Sequence, residues 1–201
     1  VGASGFNIAG LIIRHTRGSH AAKVALRWRG KHGDRRDITY AELATNACRF
    51  GNALRGLGVG TGDVVFALCP RIPELYAATV GTLAIEAVFC PLFSSFGPDP
   101  IATRVQAASG RVLVTTSTLY ARRIAPIRDR LTTLHGIANC DQHTLIVGVA
   151  GHVAVTVIDL DCFAVAEALL RIRHDAGGDR DDLRTRWARK IDASMKCIAT
   201  V

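Results

Sequence analysis

Residues 62–104, GDVVFALCPRIPELYAATVGTLAIEAVFCPLFSSFGPDPIATR, decide the fold. Val64 to Cys69, VVFALC, is a nearly continuous apolar run stopped by Pro70, which is the pattern of a strand covered on both faces. A helix is predicted from Arg71 to about Ala87, with Ile72, Leu75, Tyr76, Thr79, Val80, Leu83, Ala84 and Ala87 on one stripe. Val88 to Leu92 is the next strand, and an aromatic loop, PLFSSFGP, follows it.

Working downstream, Pro98 to Ser109 reads as a helix, Val112 to Thr115 as a strand, and Leu119 to Leu131 as a helix interrupted or restarted near Pro126. Strand and helix alternate in steps of about 25 residues, which implies right-handed crossovers and a mostly parallel sheet flanked by helices. The fold class is therefore α/β. Past Asn139, Thr144 to Val149 and Val153 to Ile158 suggest two more strands and Cys162 to Ile172 a helix. Gly177 to Lys190 has acids that offset most of its bases, which suits a solvated tail.

Upstream, Thr39, Tyr40, Ala41 and Glu42 form an S/T-x-x-E capping box and set a helix start. Tyr40, Leu43, Ala44, Ala47, Phe50, Leu54 and Leu57 then recur at threes and fours, and Gly58 is a C-terminal cap. Before that helix, Lys23 to Arg29 and Arg36 to Thr39 are strands joined by the turn KHGD, a short N-terminal hairpin. Phe6 to His15 fits either a short amphipathic helix or an extended docking arm. Gly58, Gly60 and Gly62 follow a helix and open a strand, the reverse of a dinucleotide-binding loop, so they read as a turn.

The 201 residues are 49% hydrophobic, enough for a sizeable core. A formal net charge of +8 favours contact with phosphates of some kind. The longest apolar run, Thr144 to Ile158, is too short and too quickly followed by Asp159 and Asp161 to span a membrane. No basic segment with an apolar core and cleavage site precedes the first helix-like pattern, which fits a cytoplasmic protein. The six cysteines, Cys48, Cys69, Cys90, Cys140, Cys162 and Cys197, have no CxxC spacing and read as buried thiols. Cys140 and His143 have a ligand-like gap, but one pair cannot close a four-ligand zinc site, so no metal is assigned.

Four segments in order, ALRWRG, DITYAELATNACRFGNALRGLGVGTGDVV, PRIPELYAATVGTLAIEAVFCPLFSSFGPDPIATR and VLVTTSTLY, give the chain a family likeness over about residues 23–134. In this order and spacing the chain resembles the AMP-forming acyl-CoA synthetases of the adenylate-forming superfamily, and the PLFSSFGP loop is most similar to acetate-CoA ligases. The resemblance implies that residues 1–140 form the N-terminal α/β subdomain of an AMP-binding ligase, with 141–201 as a divergent tail. It also implies a two-step reaction on small-molecule substrates. A carboxylate, acetate or another short acyl acid, attacks the α-phosphate of ATP with Mg2+ to give an acyl-adenylate, and the CoA thiol then displaces AMP.

The family's Ser/Thr/Gly-rich loop, its later aromatic-Thr-Glu motif, its ribose-holding Asp and its C-terminal-domain lysine have no recognisable copy in these residues. The isolated chain is therefore expected to be inactive, with no catalytic residue of its own. Thr115, Thr116, Ser117 and Thr118 lack the glycine that would let backbone amides close around a phosphate, so they read as a strand end and a helix cap. By resemblance, the region of Tyr120, Ala121, Arg122 and Arg123 lies beside the CoA nucleotide. Arg123 is the residue carried over, with Arg122 as its neighbour, because a guanidinium offers a phosphate a planar set of donors. Ser95 and Phe96 match a loop near the same CoA site. Read alone, the arginines fit a solvated helix face better than a ligand site, and Phe93 and Phe96 fit packing of the turn under the sheet rather than a direct chemical role. Glu74 reads as a helix-start acid stabilised by the dipole.

Two readings compete with the ligase. Arg14, Arg17, Lys23, Arg27, Arg29, Lys31, Arg35 and Arg36 would suit a basic module for nucleic acid or a protein partner. Nucleic acid is disfavoured, because Trp28 is the only nearby aromatic for base stacking. The other is a non-catalytic remnant that self-associates through an exposed sheet edge and apolar surface.

Overall fold

The computed structural model describes residues 7–16, 18–140, 144–149 and 152–156. The hairpin is present as strands β1 (Val24–Arg29) and β2 (Arg35–Thr39), paired antiparallel. Helix α1 (Ile8–Arg14) resolves the choice for the N-terminal segment: it is a helix, capped by the Asn7 side chain, which accepts from the Ala9 N–H at 2.9 Å. Asn7 Nδ2 also donates to the Leu83 carbonyl at 2.9 Å, and Ala9 and Ile13 pack against Ala47 and Val80.

Helix α2 (Tyr40–Gly56) begins at the predicted capping box, with both halves made. The Glu42 N–H donates to Thr39 Oγ1 at 3.2 Å, and the Thr39 N–H to the Glu42 carboxylate at 2.8 Å. The helix ends where Gly58 takes φ +78°, a left-handed conformation costly for any residue with a Cβ. Its buried face is Leu43, Ala44, Ala47, Phe50, Gly51, Ala53 and Leu54.

Strands β3 (Val64–Leu68), β4 (Val88–Pro91), β5 (Val112–Thr115) and β6 (Gly136–Asn139) form a four-stranded parallel sheet in the order β4-β3-β5-β6. Strands β7 (Thr144–Val149) and β8 (His152–Thr156) extend it antiparallel from β6. The sequence reading missed β6, and the second added strand begins at His152. The predicted helix from Cys162 and the charged segment from Gly177 lie outside the described residues.

Although β3 and β5 are nearly continuous apolar runs, alternate residues serve different faces, as the two-residue strand period requires. Phe66, Leu68, Leu113 and Ile137 pack with Ile101, Val105, Ile124 and Leu131. Val65, Ala67, Val112 and Val114 pack on the other side with Phe50, Leu54 and Ala78. Phe66 is almost fully buried, a transfer that stabilises the fold by about 2–3 kcal/mol.

Helix α3 (Pro73–Ala84) is shorter than predicted, and its predicted stripe packs on the core through Ile72, Leu75, Val80, Leu83, Ala84 and Ala87. Pro73 sits at its first turn, where the missing N–H costs nothing, and Glu86, at φ +62°, bars continuation at the other end. The buried positions are Pro73, Ala78, Val80, Gly81 and Thr82, while Tyr76, placed on the predicted stripe, is exposed. Helix α3 also crosses α2 closely. A Cβ on Gly81 would lie 2.4 Å from the Ala47 carbonyl oxygen, and one on Gly51 would lie 3.0 Å from the Gly81 carbonyl oxygen. Missing side chains at these two positions let the backbones approach.

Helix α4 (Pro98–Ala107) covers the other face. Residues 117–130 are helical but change type along their length. Ser117–Leu119 is an α turn, Tyr120–Ile124 a π turn and Ala125–Arg130 a 3-10 turn, so the predicted interruption falls at Ala125, beside Pro126. Proline lacks the N–H that would continue the ladder.

Candidate functional site at the carboxyl edge of the sheet

Connection β3–α3–β4 steps to one side of β3, whereas β4–α4–β5 returns to its other side, so the chain reverses direction between β3 and β5. In open α/β sheets such a reversal, at the carboxyl ends of the strands, is where ligands are held. Loop 92–97 leaves β4 at this edge and the π turn follows β5 there. The topology therefore gives all four predicted CoA-site residues a common edge of the sheet. Among the described residues no hydrogen bond, ion pair or ring contact joins Ser95 or Phe96 to Arg122 or Arg123; the edge is what they share.

Each residue has a distinct setting. Ser95 is exposed, while Phe96 is half-buried against the core cluster of Leu92 and Ile101. The Arg104 guanidinium lies 4.4 Å from the centre of the Phe96 ring, a cation–π contact. Phe93 meets Phe96 edge-on at 6.0 Å but is 65% exposed. Packing under the sheet therefore holds for Phe96 and fails for Phe93, whose ring the loop turns outward. Arg122 is exposed. Arg123 is half-buried, and its Nε is buried without a hydrogen-bond partner. A guanidinium N–H left unmet costs free energy that an acceptor would recover, and a π turn is itself often found at functional sites.

The base of the reversal is closed rather than open. Thr115 Oγ1 donates to the Leu68 carbonyl at 3.0 Å, tying β5 to β3. Thr116 Oγ1 accepts from the Leu119 N–H at 3.4 Å as an N-cap. Both hydroxyls are committed within the fold, as expected for a strand end and cap. The unmet Arg123 donor and the exposed Arg122 instead give this edge the chemistry of an anion site. Cys90, half-buried near Arg104, has its thiol pKa pushed up by burial, so it remains protonated rather than serving as a thiolate nucleophile.

Sequence reasoning missed Phe93 as an exposed ring, Arg104 as its neighbour's cation, and Asn139, whose buried Oδ1 lacks a partner at the end of β6. The spacing of Phe96 and Arg104 across a helix start could have suggested their contact. Nothing marked Asn139, because its strand was not seen. Elsewhere, Glu74 lies in the first turn of α3 and pairs with Arg36 at 2.8 Å. Arg27 and Arg29 of the basic N-terminal set pair with Asp37. Trp28 is half-buried and its Nε1 donates to the Arg71 carbonyl at 2.6 Å. Of the cysteines, Cys69 and Cys140 are buried as expected, but Cys48 and Cys90 are only half-buried. Among the described residues no helix is long and apolar enough to cross a membrane.

The α/β fold, a four-stranded parallel sheet flanked by helices, is similar to the N-terminal domains of solved adenylate-forming enzymes. Residues 13–178 match the family described as AMP-binding enzyme, and the chain belongs to that family. It is 34% identical over 142 residues to the acetyl-coenzyme A synthetase of Shewanella halifaxensis (strain HAW-EB4), which covers 69% of the chain and 22% of that relative. It is also 34% identical over 182 residues to the acetyl-coenzyme A synthetase of Shewanella sediminis (strain HAW-EB3), covering 88% of the chain and 24% of the relative. The crystal structure of Brucella canis acyl-CoA synthetase superimposes with a TM-score of 0.59 at 28% identity, over 81% of the chain and 28% of that structure. The chain thus spans about a quarter of the length of these relatives. The family uses ATP and CoA.

Proposed function

We propose that the chain is the N-terminal portion of an AMP-forming acetate-CoA or short-acyl-CoA ligase, acting in the cytoplasm, with residues 1–140 as its α/β subdomain and 141–201 as a divergent extension. The observation that carries this is the 34% identity to an acetyl-coenzyme A synthetase across 88% of the chain. In this reading Arg123 and Arg122 hold the CoA nucleotide's phosphate, and Ser95 and Phe96 line the same site from loop 92–97. Phe93, exposed beside Phe96, adds an apolar face for a ring. The net charge of +8 draws polyanionic ATP and CoA toward the surface. Mg2+ and the residues that act on ATP belong to the rest of the ligase, and the chain on its own does not turn over. Self-association through the β4 edge, where Val88 is 48% exposed, is part of the same proposal.

Incubating the purified chain with acetate, ATP, Mg2+ and CoA tests the activity. AMP and acetyl-CoA at the level of a protein-free blank are expected, and turnover at ordinary ligase rates would overturn the claim of inactivity. Calorimetric titration of CoA tests the site. Arg123→Ala should weaken binding about tenfold, the value of one charge-assisted hydrogen bond. Affinity unchanged by Arg123→Ala, or no binding by the parent chain, removes the assignment. Gel filtration checks association, since a concentration-independent monomer would exclude it.

A further inference from the structure

We infer that Cys69 and Cys140 form a two-coordinate thiolate site for a soft monovalent cation of the Cu(I) class. The two residues are 71 apart in sequence, yet their sulfurs lie 3.5 Å apart. Cys69 is the first residue after β3 and Cys140 the first after β6. The register Leu68 to Thr115 to Asn139 puts them at one level of the sheet, two strands apart. Both belong to the apolar cluster beneath α2 and α3, at 9% and 8% exposure, so the sulfurs sit close below the surface. Cys140 Sγ also donates to the Thr115 carbonyl at 3.1 Å, which leaves its lone pairs directed to Cys69.

A disulfide has its sulfurs about 2.05 Å apart, so forming one would draw the pair together by about 1.5 Å across β5, which is held between them by the Thr115 hydroxyl bond to Leu68 and the Cys140 N–H bond to Thr115. A cation between the sulfurs asks for less. With metal–sulfur bonds of about 2.3 Å, a linear S–M–S unit spans about 4.6 Å, so side-chain rotation need widen the gap by only about 1 Å. Zinc would need four ligands, and among the described residues no group of three or more ligating side chains exists. Two thiolates in an apolar setting instead select a soft cation that accepts low coordination.

The step balances without electron transfer. Two S–H bonds break, two S–Cu bonds form, both protons pass to solvent and copper remains Cu(I). Loading therefore tightens as pH rises, because metal and protons compete for the same sulfurs.

The test is anaerobic titration of the reduced full chain with Cu(I) against a chromophoric Cu(I) chelator. The chain carrying Cys48→Ser, Cys90→Ser, Cys162→Ser and Cys197→Ser should still take one Cu(I). Cys69→Ser/Cys140→Ser should bind at least tenfold more weakly than the parent. If the fourfold variant does not fold, the single variants Cys69→Ser and Cys140→Ser, each confirmed folded by circular dichroism, should each show the tenfold loss. X-ray absorption of the loaded parent should report two sulfur neighbours and no nitrogen. Equal affinity in the parent and the Cys69→Ser/Cys140→Ser chain overturns the site. So does a loss of two mass units at this pair after hydrogen peroxide, which would show that a disulfide closes there readily.

Discussion

The two edges of the parallel sheet are made by the same strands and differ in how fully their polar groups are satisfied. At the amino edge, Asp63 accepts from the Gly60 N–H at 2.9 Å and from Arg111 Nε at 3.2 Å. Arg111 Nη1 reaches His135 Nε2 at 2.7 Å, so three consecutive strand starts are linked through side chains. A cavity of about 490 Å³ opens beside them, and the Thr133 hydroxyl is the polar atom left unmet there. At the carboxyl edge, Arg123 Nε and Asn139 Oδ1 are buried without partners, Phe93 is turned to solvent and the helix after β5 is wound as a π turn. The amino edge is linked strand to strand through Asp63, Arg111 and His135, whereas the carboxyl edge carries the unmet Arg123 donor on which the proposed CoA site rests.

The largest expected effect strikes what both edges share. Gly81→Val would drive a side chain into the Ala47 carbonyl oxygen, which a Cβ alone already approaches to 2.4 Å. Backbone cannot yield as a flexible side chain would, so α2 and α3 must separate. Urea denaturation should show a loss of about 3 kcal/mol, at the upper end of overpacking costs. A loss below about 0.5 kcal/mol, the range of ordinary surface substitutions, would show that the crossing is loose and that neither edge depends on it.

The next effect belongs to the amino edge alone. Asp63→Ala should cost about 1.5 kcal/mol at pH 7, since it removes hydrogen bonds to a charged acceptor. The Gly60 N–H, and after it Arg111, hold the Asp63 carboxyl below its ordinary value of 3.8, against an opposing push from burial. A depressed folded-state pKa gives stability that is complete above the unfolded value and is lost as pH falls through the folded one. The difference between parent and variant should therefore shrink below about pH 4. Denaturation curves at pH 7, 4 and 3 check this, and a pH-independent difference would mean that packing rather than charge ties this edge together.

Most of this scaffold was legible in the sequence because its signals are local. VVFALC ends at a proline, and the Thr39 box lies within four residues of the helix it starts. What escaped was non-local. The strand Gly136–Asn139 contains glycine, alanine and asparagine and shows no apolar run; its place between β5 and β7 makes it a strand. The close approach of α3 to α2 depends on a glycine in each helix, Gly81 and Gly51, far apart in the chain. The site was half legible. Resemblance pointed to Arg123 and loop 92–97, but only the fold shows that Phe93 faces outward and that two cysteines 71 residues apart meet.

The capping box offers an intermediate test that is independent of either edge. Thr39→Ala should cost about 1 kcal/mol, because it leaves the Glu42 N–H without its acceptor. The loss should be the same whether it is measured in the parent or in Asp63→Ala. A non-additive result would mean that the start of α2 and the amino edge are coupled.

The smallest effect is the sharpest comparison, since it makes one substitution at each edge. Arg111→Ala removes a guanidinium bonded to Asp63 and His135, and should destabilise the chain by about 1 kcal/mol or more. Arg123→Ala removes one whose Nε has no partner, so the lost packing of its stem is offset by relief of a buried unmet donor. Its stability should stay within about 0.5 kcal/mol of the parent. If Arg123→Ala instead destabilises as much as Arg111→Ala, the carboxyl edge is as structural as the amino edge, and the unmet donor is not being held for a phosphate.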